Sequence, residues 1–442
     1  MRHIMKKLSR FLAFLSAFFG VWTLVRSPRG RWGGAVWIPK LWAGAWAPFL
    51  AIAGALGALV SLVRGDGTGT LAGLFGAWAG IRHTSRVTRR TEDPFASAFG
   101  PDWQQRIPPE RWTRLSRPYQ WIQPARRFGP FERGLDIGTA SPLYADLWRP
   151  PPDAPRTRLG VIFLHGSFWQ AVDKDFLTRQ LFQRLVNQGH AVLDVAYSLA
   201  PAANLYQMVE EVKRFIAWMK SNAARLDLDP GRVVLMGASG GAHLALLAAY
   251  TPNLPAFQPK RLKADTSVRG VISLFGIADM LSFFHEYGES NPRQPETSSQ
   301  ITDDMRPRVH DRTWLDRFMT RSRAFPALRY SNMPGGAALL VDLLGGTANE
   351  IPEVYRLFSP LTHVGAHCPP TLIATGDDDF AVNVSQSRRL HRALQNANVP
   401  SVYVEFPGTV HGFDQYFGVS RRVAPAAQMV TNDIEQFLAL MV

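Results

Sequence analysis

Two kinds of hydrophobic spacing divide this chain. Up to about residue 82 the apolar residues run on continuously: Phe11–Val25 is fifteen residues without a charge, Leu41–Val63 twenty-three and Leu71–Ile81 eleven. Beyond Leu135 they come instead as short runs separated by amphipathic segments. Leu159–Leu164, Ala191–Ala196, Val233–Met236, Gly270–Phe275, Thr371–Thr375 and Val402–Phe406 have the length and apolar content of buried strands. Helical spacing fills intervals between them at Phe176–Asn187, Val209–Ser221, Ala242–Ala249, Arg388–Ala397 and Gln428–Met441. Strands alternating with helices predict a mainly parallel sheet with helices on both faces. Ligands of such sheets collect beyond the carboxyl ends of the strands, so chemistry is sought there.

The continuous runs predict a membrane anchor over residues 1–82. A basic start (Arg2, Lys6, Lys7, Arg10) precedes the span near 11–25, and no A-x-A site closes that run, which favours an uncleaved anchor over a signal peptide. The span near 41–63 is long enough to cross the ~30 Å hydrocarbon core and carries Trp42 and Trp46 at its entry. The third run, 71–81, is short beside these two spans and contains Gly73, Gly76 and Gly80; it either closes a helical hairpin against the second span through these small residues or lies in the membrane interface. From 83 to 133 a Pro, Arg and Trp mixture reads as a solvated connector. On this division, membrane residence belongs wholly to the front, and a chain beginning near Thr91 should be soluble and still active.

Charge sharpens the division. The net charge of the 442-residue chain is +14, a value that alone would invite a nucleic-acid reading. Residues 1–130 hold 19 Lys and Arg against 5 Asp and Glu, whereas the remainder holds 30 of each. A neutral body behind a basic, apolar front implies a membrane lipid partner and no nucleic acid. Lys and Arg number four before the first span, four between the first two and five from Arg64 to Arg90, so charge fixes no orientation. The single cysteine, Cys368, excludes an intrachain disulfide and any multi-cysteine metal site.

Three strand-end loops carry the candidate chemistry. Directly after Val233–Met236 stands Gly237-Ala238-Ser239-Gly240-Gly241, a G-x-S-x-G between a strand and a helix. Small neighbours permit the tight turn that lifts a serine hydroxyl above a sheet at a helix N-terminus. Such a hydroxyl needs a base, and the base needs a carboxylate to orient it. Gly376-Asp377-Asp378-Asp379-Phe380-Ala381-Val382 follows the strand at 371–375, and Pro407-Gly408-Thr409-Val410-His411-Gly412-Phe413 follows that at 402–406. The order serine, acid, histidine is the one this topology requires. Phe163-Leu164-His165-Gly166-Ser167-Phe168-Trp169 ends another strand. It offers the N–H groups of Gly166 and Ser167 as oxyanion donors beside that of Gly240, with His165 locking the loop by hydrogen bonds.

Together these stretches resemble the α/β-hydrolase superfamily, in its esterase/lipase branch akin to hormone-sensitive lipase and the small H-G-G-x-W carboxylesterases. The likeness rests on His165–Trp169, Ala196-Tyr-Ser-Leu-Ala-Pro201, Gly237–Gly241, Gly376–Asp379 with Val382, and His411–Phe413, and covers about residues 140–442. It implies an α/β-hydrolase fold over 134–442, with Ser239 as nucleophile, Asp379 as acid and His411 as base. Asp379 is chosen over Asp377 and Asp378 because the family pattern is G-x-x-D-x-x-V, counted from Gly376 to Val382. Two positions depart from the pattern: Ser167 stands where glycine is usual, and Gly240 replaces the common alanine.

Residues 281–334 form an insertion where a lid is expected. It holds eight Arg and seven acidic residues, and its pairs Trp314/Phe318 and Leu315/Met319 fall one helical turn apart. The expected activity is that of a membrane-anchored carboxylic ester hydrolase acting on a small lipophilic ester, with no cofactor and no metal. An amidase or formamidase and an acyltransferase would share the machinery, and a catalytically silent membrane adaptor would share the fold. A dinucleotide-binding module is disfavoured, since no G-x-G-x-x-G follows a strand.

Overall fold

A computed structural model describes residues 2–28, 31–115, 119–123, 129–137, 142–259, 264–290, 336–414 and 421–442. Three helices come first: α1 (Arg2–Leu24), α2 (Arg31–Val63) and α3 (Gly67–Thr88). Short helices α4 (Pro94–Phe99) and α5 (Pro109–Leu115) lead to strands β1 (Phe131–Asp136), β2 (Tyr144–Trp148) and β3 (Gly160–Leu164). Then come α6 (Arg179–Asn187), β4 (Ala191–Ala196), α7 (Leu205–Ser221), α8 (Ala223–Leu226), β5 (Val233–Ala238), α9 (Gly240–Tyr250) and β6 (Gly270–Leu274). After α10 (Met280–Ser290), the described chain resumes with α11 (Gly336–Leu344) and α12 (Pro352–Leu357). It ends with β7 (Thr371–Gly376), α13 (Val384–Asn396), β8 (Ser401–Phe406) and α14 (Pro425–Met441).

The eight strands form one sheet in the order β1-β2-β4-β3-β5-β6-β7-β8. β2 runs antiparallel to both its neighbours, and every pairing from β4 through β8 is parallel. All residues of β3, β5, β6 and β7 are buried. Helices cover both faces there, which is why these strands read as unbroken apolar runs rather than alternating ones. The hairpin β1–β2 was not expected from the sequence. β1 is mostly exposed, polar and irregular in register between Glu132 and Leu135, so an edge strand of this kind leaves no periodic signal.

The front is more intimate with the body than the sequence implies. α1, α2 and α3 pack on one another, and small residues make the approach possible: a Cβ on Gly73 would come 2.5 Å from the Gly54 carbonyl oxygen. The third apolar run is therefore a full helix of this bundle. Outward, the bundle exposes Phe11, Phe14 and Phe18 of α1, Ile52, Leu56 and Leu59 of α2, and Leu71, Leu74 and Trp78 of α3. The first turns of α2 behave otherwise. Trp37, Leu41 and Ala45 are buried in the same apolar cluster as Val161, Phe163 and Phe406 of the sheet. The run that begins at Leu41 thus faces protein first, and its exposed apolar side chains begin only at Ile52.

The connector also departs from expectation. Phe95, Trp103, Ile107 and Leu115 are buried, Phe95 stacks on Trp103 at 4.7 Å, and the Trp103 indole donates to Asp93 at 2.8 Å. Arg90 pairs with Asp433 of α14. Aromatic area of this size gains too much from leaving water to stay a solvated linker. The lid residues Trp314, Leu315, Phe318 and Met319 lie outside the described residues.

Core histidines set part of the acid stability. The Thr157 hydroxyl donates to the Gly189 carbonyl at 2.8 Å, so its single proton is used, and the buried His190 Nδ1–H must donate to Thr157 Oγ at 2.9 Å. Burial pushes His190 down to about 3. Below the ordinary imidazole range the unfolded chain binds a proton that the folded chain refuses. The stability this neutral histidine contributes is therefore complete above pH ~6.5 and lost as pH falls. Replacing it, His190→Gln, should cost most at pH 7, and the difference from wild type should shrink by roughly 2 kcal/mol by pH 4.5. Denaturant unfolding at both pH values measures it; a difference that grows with acid would contradict the assignment.

Candidate active site

β5 hands the chain to α9 through one residue, Ser239, whose φ of 53° and ψ of −120° lie where non-glycine residues are rarely held. The strain is fixed from both sides. The Ser239 N–H donates to Leu274 O at 2.9 Å, and Ser239 O accepts the first helical bond from His243 at 3.0 Å. The flanking glycines are required by space. A Cβ on Gly237 would lie 2.3 Å from Gly241 O, and one on Gly241 would lie 2.3 Å from both Leu164 O and His165 O. The hydroxyl of Ser239 consequently stands at the carboxyl edge of the sheet, at the N-terminus of a helix buried along its whole length.

His411 and Asp379 meet it there. His411 Nε2 is 3.1 Å from Ser239 Oγ, and His411 Nδ1 is 2.7 Å from Asp379 Oδ2. The other carboxylate oxygen, Oδ1, accepts the N–H groups of Ala381 and Val382, both at 2.8 Å, and the Asp379 side chain is fully buried. Two backbone donors on one oxygen leave the second oriented toward the imidazole. Phe275 sets its ring edge against His411 at 4.7 Å. With Asp379 Oδ2 facing Nδ1, the Nδ1–H tautomer is favoured, leaving Nε2 able to accept from the serine hydroxyl.

Asp377 and Asp378 point elsewhere. Asp377 accepts the Gly408 N–H and lies 3.8 Å from Arg26, and burial raises its pKa above the usual carboxylate range. Asp378 is held by Ser27 and by Lys40, whose Nζ is 2.7 Å away. Of the three aspartates in the loop, only Asp379 is paired with His411.

The loop after β3 turns back over the serine. Ser167, Phe168 and Trp169 have φ of 101°, 52° and 60° in succession. A Cβ on Gly166 would sit 3.2 Å from Ser239 Cβ, and one on Gly240 would sit 3.3 Å from Trp169 N. Among the described residues, no backbone carbonyl takes the N–H groups of Gly166, Ser167 or Gly240. With no internal acceptor, these N–H groups are available to a ligand or to water. Ser167 adopts the positive φ that glycine would take freely, and its hydroxyl donates to Ala171 O. His165 stacks on Tyr197 at 4.5 Å, and its Nδ1–H donates to Gly166 O at 3.0 Å. Burial lowers its pKa, so this imidazole stays neutral.

Residues without a role in the sequence reading complete the surround. The Tyr197 hydroxyl donates to His165 O at 2.8 Å. Glu211 accepts the N–H and hydroxyl of Ser198, at 2.7 and 2.8 Å, which fixes the next turn beneath the loop. Trp37 Nε1 donates to His411 O at 2.8 Å, from a helix 374 residues away in sequence. Lys40 had a signal of its own, being a lone charge beside Pro39 in an otherwise apolar stretch. Among the described residues no group of three His, Cys, Asp or Glu side chains is arranged to hold a metal ion.

Sheet order, strand-end loops and the Ser239 turn define the esterase/lipase class of α/β-hydrolases. Within it, the chain belongs to the BD-FAE family, whose sequence profile matches residues 145–311 and 330–394. It is 27% identical over 381 residues to Esterase LipQ of Mycobacterium tuberculosis, a match covering 84% of this chain and 77% of that one. Probable carboxylic ester hydrolase LipM of the same organism is 28% identical over 306 residues, covering 69% of this chain and 59% of the relative. A truncated carbohydrate esterase from gut microbiota shares the fold, with a TM-score of 0.53 at 19% identity over 72% of this chain and 99% of that structure.

Proposed function

We propose that this protein is a membrane-anchored serine hydrolase that cleaves carboxylic esters of lipophilic acids or alcohols through an acyl-enzyme. The observation that carries the reading is the continuous path from Ser239 Oγ to His411 Nε2 at 3.1 Å and from His411 Nδ1 to Asp379 at 2.7 Å. Ser239 Oγ attacks the ester carbonyl carbon while His411 Nε2 takes the hydroxyl proton. The negative oxygen of the tetrahedral intermediate lies toward the N–H groups of Gly166, Ser167 and Gly240 and the N-terminus of α9. As the intermediate collapses, the C–O bond to the alcohol breaks and His411 returns its proton to the leaving oxygen. Water then repeats the sequence on the acyl-enzyme: His411 takes its proton, the hydroxyl adds to the carbonyl, and Ser239 leaves reprotonated with the carboxylic acid released. Asp379 stays ionised and holds the imidazolium that forms twice in the cycle.

Labelling by a fluorophosphonate probe tests the reading. The wild-type protein should take up one equivalent and Ser239→Ala none; equal labelling of both would remove Ser239 from the nucleophile's place. Within the acid loop, Asp379→Ala should lower kcat by about 10³-fold or more, while Asp377→Asn should stay within roughly threefold of wild type. Equal losses at the two positions would undo the choice of Asp379.

The membrane part of the proposal rests on α1 and α2, which are long and apolar enough to span a bilayer, and on the aromatic and aliphatic side chains the bundle exposes. An enzyme held there meets esters that partition into the bilayer at high local concentration. Each methylene buried in an acyl pocket adds ~0.8 kcal/mol of binding until the pocket is full. For p-nitrophenyl esters presented below their critical micelle concentration, kcat/KM should rise with acyl length and then level off. A steady fall from acetate upward would sink the lipophilic preference and leave the serine mechanism standing.

A further inference from the structure

The loops that carry Asp379 and His411 are both fastened to the same stretch of α2. Lys40 is buried, with its side chain 2% exposed, and its ammonium reaches Asp378 Oδ2 at 2.7 Å. The same ammonium donates to the carbonyl of Trp22 in the last turn of α1, where helix carbonyls lack intrahelical partners, and to that of Val25 just past it. Ser27, in the connection between α1 and α2, completes the grip: its N–H donates to Asp378 Oδ1 at 2.9 Å and its hydroxyl to Oδ2 at 3.1 Å. One helical turn before Lys40, and on the same face, the Trp37 indole N–H donates to the His411 carbonyl at 2.8 Å. The Trp37 ring lies 5.8 Å from that of Phe380, the residue after Asp379.

The consequence is mechanical. Asp378 is covalently next to the carboxylate that orients the imidazole, and the His411 carbonyl is part of the residue that carries it. A buried ammonium with three oxygen acceptors has no slack, and a displacement of about 1 Å at reacting atoms can cost 10²-fold in rate. We propose that Lys40 and Trp37 are positioning residues of the hydrolytic site, clamping the acid loop and the histidine loop at their working separation, so that the apolar N-terminal bundle is part of the catalytic unit. The inference rests on the roles proposed above for Ser239, Asp379 and His411.

The test uses the full-length protein in detergent, with a short water-soluble p-nitrophenyl ester. Lys40→Met alone leaves Asp378 without its cation and lowers both stability and rate. The informative variant is therefore Lys40→Met/Asp378→Asn, which removes both charges together and so restores the fold, keeps an acceptor for Ser27, and leaves the loop without the ammonium that tied it to Trp22 and Val25. A clamp predicts that this variant has an unfolding midpoint near wild type, a kcat lowered about tenfold and a KM within twofold. A purely structural ion pair predicts that kcat returns with stability. Trp37→Phe keeps an aromatic ring beside Phe380 and removes the hydrogen bond to His411 together with part of the buried indole. It should lower kcat several-fold at unchanged KM, with fluorophosphonate labelling slowed in parallel and the midpoint lowered only by the lost packing, the protein staying folded at the assay temperature. If both variants are folded and both keep kcat within twofold of wild type, the clamp is overturned. Turnover that survives in Ser239→Ala would instead overturn the site itself, and the clamp with it, so the two failures are told apart.

Discussion

Replacing Ser239 with alanine should lower kcat for ester hydrolysis by about 10⁴-fold or more, and His411→Ala should do nearly the same, because the members of such a group act as a unit and their losses do not add. The double variant should therefore be little worse than either single one. Neither substitution should disturb the fold. Ser239 makes its structural hydrogen bonds through its main chain, to Leu274 and His243, and alanine keeps both. Alanine still has to sit at the strained φ of 53°, so the cost of the turn is unchanged rather than relieved. The residual rate should come from the backbone donors around Gly166, Ser167 and Gly240, which neither substitution removes. Steady-state kinetics with active-site titration decides the matter. Near wild-type turnover in Ser239→Ala would refute the serine mechanism.

Removing residues 1–90 should abolish most of the activity, the reverse of what the sequence suggests for a chain beginning near Thr91. The deletion takes away Lys40 and Ser27 from Asp378, Trp37 from His411 and Phe380, and Arg90 from Asp433. It also uncovers apolar surface, since Trp37, Leu41, Ala45 and Val87 share a core with strand residues such as Val161 and Phe406. Surface of that kind, exposed in one patch, drives association. The expected outcome is a protein that aggregates, or one that is monodisperse with kcat reduced by about 10²-fold or more. A soluble, monomeric 91–442 chain with wild-type kcat on a short ester would show that the bundle is only an anchor.

The fold class was legible because covered parallel strands must be apolar on both faces. The runs at 159–164, 233–236 and 371–375 announce β3, β5 and β7, within two residues at each end. The edge strand β1 was not legible, because an exposed strand obeys no such constraint. The candidate site was legible for a related reason. A turn that places a side chain at φ 53° between a strand and a helix demands small neighbours, and Gly237 and Gly241 write that demand into the sequence. The choice of Asp379 came only from the resemblance, through its pattern G-x-x-D-x-x-V; in the structure that three-residue spacing lets an Asp379 oxygen accept the Val382 N–H at 2.8 Å.

What the sequence alone determined, then, are the local and short-range features: the apolar front, the alternating strands and helices, and the three loops whose turn chemistry dictates small or polar residues at fixed offsets. What only the tertiary structure decided is where the front sits. An unbroken apolar run is the same whether its neighbour is lipid or protein, so nothing in the spacing of Leu41–Val63 separates the turns buried against the sheet from those left exposed beyond Ile52. Nor does any local pattern connect Lys40 with Asp378 or Trp37 with His411. Pairs separated by hundreds of residues are fixed by how whole elements pack, and hydrophobic periodicity within one element carries no information about its partner.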